Sequence, residues 1–231
     1  MITYTRPAAQ IFATGGAVRA EAVHEENKVM NHLAHLYLAG DVEGWRLGAF
    51  LGDHVKGRLA LKQWPLEIAQ GIELHRAVDS WTDRHPLMRE ARELAPPPLR
   101  RYAGIVLDVY NDHLLSRDWG RYAQVDLQDF AEQAYAMLER RQQQLPPRLQ
   151  DFSAFARRHN LFARYGEVAV IDRILNGIAR RLKRPGVIAR GRELMAPHDA
   201  ELQQIFREFF DESVVWAEGW RQRARSTITG S

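Results

Sequence analysis

Two stretches of this chain carry ionisable residues at spacings that can make a reactive site. In HRAVDSWTD, His75 and Asp79 are four apart, and Asp83 is four further on. Residues i and i+4 share one face of a helix about a turn apart, so an imidazole and a carboxylate would project together. In IVLDVYNDHLLSR, residues 105–117, Asp108 and Asp112 repeat that spacing, and His113 lies roughly 100° further round the helix. A third group, Gly52-Asp53-His54, follows a glycine-rich run. The neighbours of these groups are apolar enough to predict burial, and a buried carboxylate stays charged only when paired, hydrogen-bonded or bound to a metal. Carboxylates and imidazoles in a chain without Cys offer nitrogen and oxygen ligands to a divalent ion. Mn²⁺, Mg²⁺, Fe²⁺ and Zn²⁺ all suit such a set, whereas sulfur-seeking ions do not.

Each residue also has a structural role open to it. His75 can be a core histidine with satisfied hydrogen bonds, and Asp79 can pair with Arg76 or Arg84. Asp108 and Asp112 can pair with Arg100, Arg101 or Arg117. Recurrence of the pattern on two helices favours a shared site. Other chemistries lack a signature: there is no GxxxxGK[ST] loop, no GxGxxG after a strand, no HExxH and no GxSxG. The lack of Cys excludes disulfides, zinc–thiolate sites and Cys nucleophiles, and it fits a cytoplasmic protein.

The elements that must position these groups are helical. MNHLAHLYLAG leads into DVEGWRLGAFLGDHVKGRL, whose glycines at 44, 48, 52 and 57 weaken a helix or admit a neighbour closely. WPLEIAQGIELHRAVDSWTDR reads as a helix with Pro65 in its first turn and a stop at His85-Pro86. Further helices are expected over Leu99–Ser116, Asp129–Gln144, Asp151–Asn160 (after a Pro146-Pro147 break), Val168–Leu182 and Ala200–Arg223. Strand-type alternation, repeats and low-complexity tracts are missing. The 231 residues therefore predict one all-α domain over 30–231, with residues 1–29 as a flexible extension ahead of a functional start at Met30. The extension has no apolar core of a secretory signal, and no stretch approaches the roughly 20 apolar residues of a membrane helix.

Charge is unevenly spread. The whole chain is +3, yet Arg141 to Arg192 holds twelve basic against three acidic residues, leaving 20 basic and 26 acidic elsewhere. A local +9 beside a −6 remainder suggests an acidic partner, or else helix faces that merely favour Arg.

Taken in order, MNHLAHLYLAG, GAFLGDHVKG, GIELHRAVDSWTD, LDVYNDHLLSRDW and IDRILNGIARR resemble the acyl carrier protein phosphodiesterase family from Met30 onward. The resemblance implies a single-domain helical bundle of HD-phosphohydrolase type, although Asp112-His113 stands in the reverse order to the usual His-Asp pair. It implies hydrolysis of the phosphodiester joining 4′-phosphopantetheine to a serine of holo-acyl carrier protein, with a divalent metal, Mn²⁺ first among those above. His75, Asp79, Asp112 and His113 are then expected as the metal ligands. Asp53, Asp108 and His35 would add ligands, orienting groups or the acid/base group, and Arg76 would clamp the phosphate. Since acyl carrier protein is acidic, Arg173, Arg180, Arg181 and Arg184 become the expected docking residues rather than a nucleic-acid or membrane surface. Two other functions fit the residues: an HD-type phosphohydrolase acting on a nucleotide or other small phosphoester, and a non-catalytic helical module that binds an acidic protein.

Overall fold

A computed structural model of the protein describes residues 32–180 and 185–229. Among these residues there are helices and turns and no strand, so the class is all-α, as the sequence implies. The expected extension at 1–29 and Met30 lie outside the described residues, as do Arg181 and Arg184.

The chain opens with a short helix α1, His32–Leu38, followed by α2, Glu43–Leu51. A loop containing a 3₁₀ turn at Leu59–Gln63 leads to α3, Leu66–Arg84. Pro65 stands just ahead of α3 rather than inside its first turn. The helix stops at His85, which is extended (φ −67°, ψ 131°) because the following proline disfavours the helical region. Pro86 itself opens α4, Pro86–Glu93, where its missing N–H costs nothing.

Ala103–Arg117 forms α5, and its buried residues, from Val106 to Leu115, point all round the axis. A helix apolar on every side belongs at the centre of a bundle. The chain continues through α6, Trp119–Tyr122, α7, Leu127–Arg140, and α8, Pro147–Arg158, to α9, Val168–Ala179, which packs against α5. The break expected at Pro146-Pro147 is sharper than anticipated: Pro147 occupies the first turn of α8, so the helix starts four residues before Asp151. Two short helices, α10 (Pro185–Ala189) and α11 (Gly191–Met195), precede the long α12, Asp199–Thr229. Phe206, Phe209 and Phe210 of α12 are buried in the core.

The tightest helix pair is α2 with α3. A Cβ on Gly48 would stand 2.2 Å from the Ile68 carbonyl oxygen, and one on Gly71 would stand 2.3 Å from that of Trp45. Only hydrogen at both positions lets the backbones touch, and this contact fixes the faces that carry Ala49 and His75 against each other.

Candidate metal centre

His75 projects from the middle of α3 towards the end of α2. Its Nδ1 donates to the Ala49 carbonyl at 2.8 Å, since a carbonyl can only accept. In the neutral imidazole, Nε2 then carries a lone pair. That atom faces two carboxylates, Asp53 Oδ1 at 3.2 Å and Asp79 Oδ2 at 3.6 Å. Three electron-rich atoms meeting in a buried pocket need a proton or a cation between them. The room for the ring comes from Gly52, where a Cβ would lie 2.1 Å from His75 Cγ.

The fourth group comes from α1. The His35 ring stacks on His75 with centroids 3.9 Å apart and planes 18° from parallel. Its Nε2 lies 3.2 Å from Asp79 Oδ1, yet both ring nitrogens are buried without a properly directed hydrogen bond. One ligand atom each from His35, His75 and Asp79 falls within 4.8 Å of the others. Two atoms each about 2.1 Å from one ion are roughly 3.0–3.4 Å apart at octahedral or tetrahedral angles; the two 3.2 Å contacts fall in that range and the 3.6 Å contact lies just beyond it. Charge-assisted hydrogen bonds would draw in to about 2.7–2.9 Å.

The protonation preferences divide the two rings. Burial lowers the pKa of His35, and the neighbouring His75 lowers it further against the pull of Asp79. Burial also works to lower His75, but contacts with Asp53, Asp79 and the Ala49 carbonyl outweigh it, and the net shift is upward. Burial would raise the Asp53 pKa, whereas its contact with His75 brings it below the usual carboxylate value. Among these groups His75 is therefore the one whose surroundings favour a proton, and His35 the one on which burial disfavours it.

The sequence pattern did not single out His32, three residues before His35. It is buried between Phe50 and Phe152, ring centroids 4.9 and 5.0 Å away, and burial holds its pKa down at about 3. The i, i+3 spacing in HLAH was the available signal.

Asp112 and His113, expected beside His75, make other contacts. Asp112 is fully buried, with Oδ2 accepting from Leu33 N at 3.0 Å and Oδ1 from Ala34 N at 2.9 Å. Both belong to the unpaired amides of the first turn of α1, so α5 caps the helix that bears His35. Burial raises the Asp112 pKa to about 8 against the opposite influence of those amides. Nδ1 of His113 donates to the Tyr165 carbonyl at 2.8 Å. Asp108 is close enough for its charge to act on Asp112. The cluster thus joins α1 to α3, and α5 braces it from behind.

Arg76 turns to backbone: its guanidinium donates to the Val55 carbonyl and, at 3.4 Å, to that of Gly57. Arg117 pairs with Asp199, at 2.9 Å. In the basic stretch, Arg141 pairs with Glu43, Arg157 with Glu132 and Glu139, Arg164 with Glu167, and Arg192 with Asp172. Glu43, Glu132 and Glu139 lie outside the stretch, so part of the local +9 is balanced by acids that the fold brings to it. Arg173 and Arg180 are exposed, seven residues apart along and just beyond α9. No helix among the described residues is long and apolar enough to cross a membrane.

The described residues thus form an all-α bundle with a largely buried His₂Asp group, His35, His75 and Asp79, that could hold a metal ion, and with Asp53 at its edge. The chain matches the family model described as acyl carrier protein phosphodiesterase over residues 30–213, and it belongs to that family. The acyl carrier protein phosphodiesterase of Photorhabdus laumondii is 34% identical over 190 residues, 82% of this chain and 96% of that protein. Proteins of the same name from Yersinia enterocolitica and Enterobacter sp. are 36% and 33% identical, each over 82% of this chain and 98% of their own length. No solved structure matches the chain significantly.

Proposed function

We propose that this protein hydrolyses the phosphodiester linking 4′-phosphopantetheine to a serine of holo-acyl carrier protein, giving the apo-protein and 4′-phosphopantetheine in the cytoplasm. The observation that carries this reading is the His35, His75 and Asp79 cluster in a member of this family. His75, Asp79 and His35 would hold a divalent cation, with Mn²⁺ the first choice and Mg²⁺, Fe²⁺ or Zn²⁺ the others that mixed imidazole and carboxylate ligands suit. Such an ion supplies Lewis acidity, activating water and neutralising charge on the phosphoryl oxygens.

The remaining steps fall to the chain itself. Asp53, at 3.2 Å from His75 Nε2 and partly exposed, takes the proton from the attacking water and returns one to the departing serine oxygen. The water oxygen bonds to phosphorus as the bond from phosphorus to the serine oxygen breaks. The Ala49 carbonyl and Gly52 keep His75 in one orientation, and Asp112 does the same for α1 and His35. Arg76, which donates to the Val55 and Gly57 carbonyls, braces the loop after Asp53. The relationship to the HD phosphohydrolases is part of this reading, supported by the all-α frame and the His and Asp groups drawn from separate helices.

The test is incubation of purified protein with holo-acyl carrier protein and Mn²⁺, followed by intact-mass measurement of the carrier. Loss of the phosphopantetheine mass is expected. An unchanged carrier in the presence of metal-loaded protein overturns the reading.

A further inference from the structure

The reaction proposed above places a demand on the surface around the site. The scissile bond lies at the end of a serine side chain, so the carrier's backbone must come within about a side-chain length of the metal. Docking contacts must therefore begin at the rim of the cluster.

One segment meets that requirement. It starts one residue beyond Asp53 and runs HVKGRLALKQW from 54 to 64. Between Asp53 and Glu67 there is no carboxylate, while Lys56, Arg58 and Lys62 are basic and exposed. Five large apolar side chains stand out as exposed among the described residues, and two of them frame this segment: Leu59 at 76% and Leu66 at 56%. The segment is not a loose tether. Arg76, the next residue after His75, fastens it through the carbonyls of Val55 and Gly57, and Gly57 turns it with φ +83°. Arg148 of α8 is near enough to His54 for its charge to act on that ring.

A small anionic substrate would use the cations but gain nothing from Leu59 and Leu66. A protein surface with carboxylates around an apolar contact would use both, with charge steering the encounter and the leucines being covered. We infer that residues 56–66, led by Arg58, Leu59 and Lys62, form the docking surface for the acidic carrier protein, directly beside the metal cluster. This rests on the proposed phosphodiesterase reading and moves the main contact from Arg173 and Arg180 to the rim of the site.

Binding to apo-carrier protein separates docking from catalysis, because the apo form has no bond left to cleave. Titration calorimetry is run on wild type, on Arg58→Glu/Lys62→Glu and on Arg173→Glu/Arg180→Glu, with KM and kcat measured on holo-carrier. The rim variant is expected to bind at least about tenfold more weakly and to raise KM in proportion, with kcat changed by less than about twofold. Its affinity should also lose most of its dependence on salt. Leu59→Ser, at a 76% exposed position, should weaken binding too and serves if the charge reversals impair folding. Unaltered affinity and KM in the rim variants, or a larger loss at Arg173 and Arg180, would overturn the inference. If wild type leaves holo-carrier intact but binds apo-carrier through the rim, the phosphodiesterase reading fails and the docking surface stands. If wild type binds no carrier protein, the docking surface falls.

Discussion

The imidazoles of His35 and His75 lie face to face, 3.9 Å between centroids, one from α1 and the other from α3. Two protonated rings at that separation would repel, and burial removes the water that could screen them. Carboxylates at 3.2 and 3.6 Å add negative charge to the same pocket. The proposed metal ion would lie between these groups and balance that charge.

Removing any of the three grouped side chains should therefore cost metal before it costs fold. His35→Ala, His75→Ala and Asp79→Asn are each expected to lower bound Mn²⁺ and cut activity by more than about 100-fold. Elemental analysis of the purified variants gives the metal content directly. Full metal occupancy in all three would remove the cluster from consideration.

Metal should also stabilise the folded chain, because the ligands come from separate helices and meet only when it is folded. Melting followed by calorimetry is expected to show a Tm that climbs with Mn²⁺ concentration in wild type but not in His75→Ala. The same metal dependence in both proteins would contradict this.

Asp112 holds two buried amides of α1 at 2.9 and 3.0 Å. Asp112→Ala orphans both, and each unsatisfied donor costs about 1–3 kcal/mol. Asp112→Asn keeps one carbonyl acceptor and should lose less. Urea unfolding ranks the three proteins, and metal affinity should follow that order because His35 sits one residue after Ala34. An alanine variant as stable as wild type would show that the contact carries no weight.

The folded-state pKa of His32, about 3, lies below its ordinary value of 6.5. Between those values the unfolded chain binds the proton and the folded chain does not, so stability falls as pH drops below about 6.5 and is complete above it. His32→Phe suits a site lined by Phe50 and Phe152 and has nothing to protonate. The stability difference, variant minus wild type, should grow by up to about 1.4 kcal/mol per pH unit on acidification through that window. Parallel pH profiles for the two proteins would refute the assignment. His75 contributes with the opposite sign, its raised pKa giving stability that is lost as pH rises through it, and the comparison cancels that part.

Gly71→Ala should be costly, about 1–3 kcal/mol, because the new methyl group meets the Trp45 carbonyl at 2.3 Å. Gly177→Ala on α9 meets nothing within 4 Å and should gain up to about 1 kcal/mol from helix propensity. Calorimetric Tm values of opposite sign are the expected result. A neutral Gly71→Ala would mean that α2 and α3 have room to part.

The sequence by itself determined the helical class, the length of α3, the pairing of His75 with Asp79 on one face, and the closeness hidden in glycines 48 and 52. These are local matters: periodicity, proline stops and i, i+4 spacing need no knowledge of distant partners. It also marked Asp108, Asp112 and His113 as groups too costly to bury unpaired. Only the tertiary structure decided what each was paired with. Asp112 has the same spacing relation to Asp108 as Asp79 has to His75, yet its oxygens meet backbone amides 78 and 79 residues earlier in the chain. A backbone donor has no residue-type signature, so a trans cap and a metal ligand look identical in sequence. The arginine-rich stretch shows the same limit: its charge was legible, but which arginines are balanced by Glu43, Glu132 or Asp172 depended on helices brought together by the fold. The partner that completes a charged group is chosen by three-dimensional proximity, and spacing along one helix cannot report it.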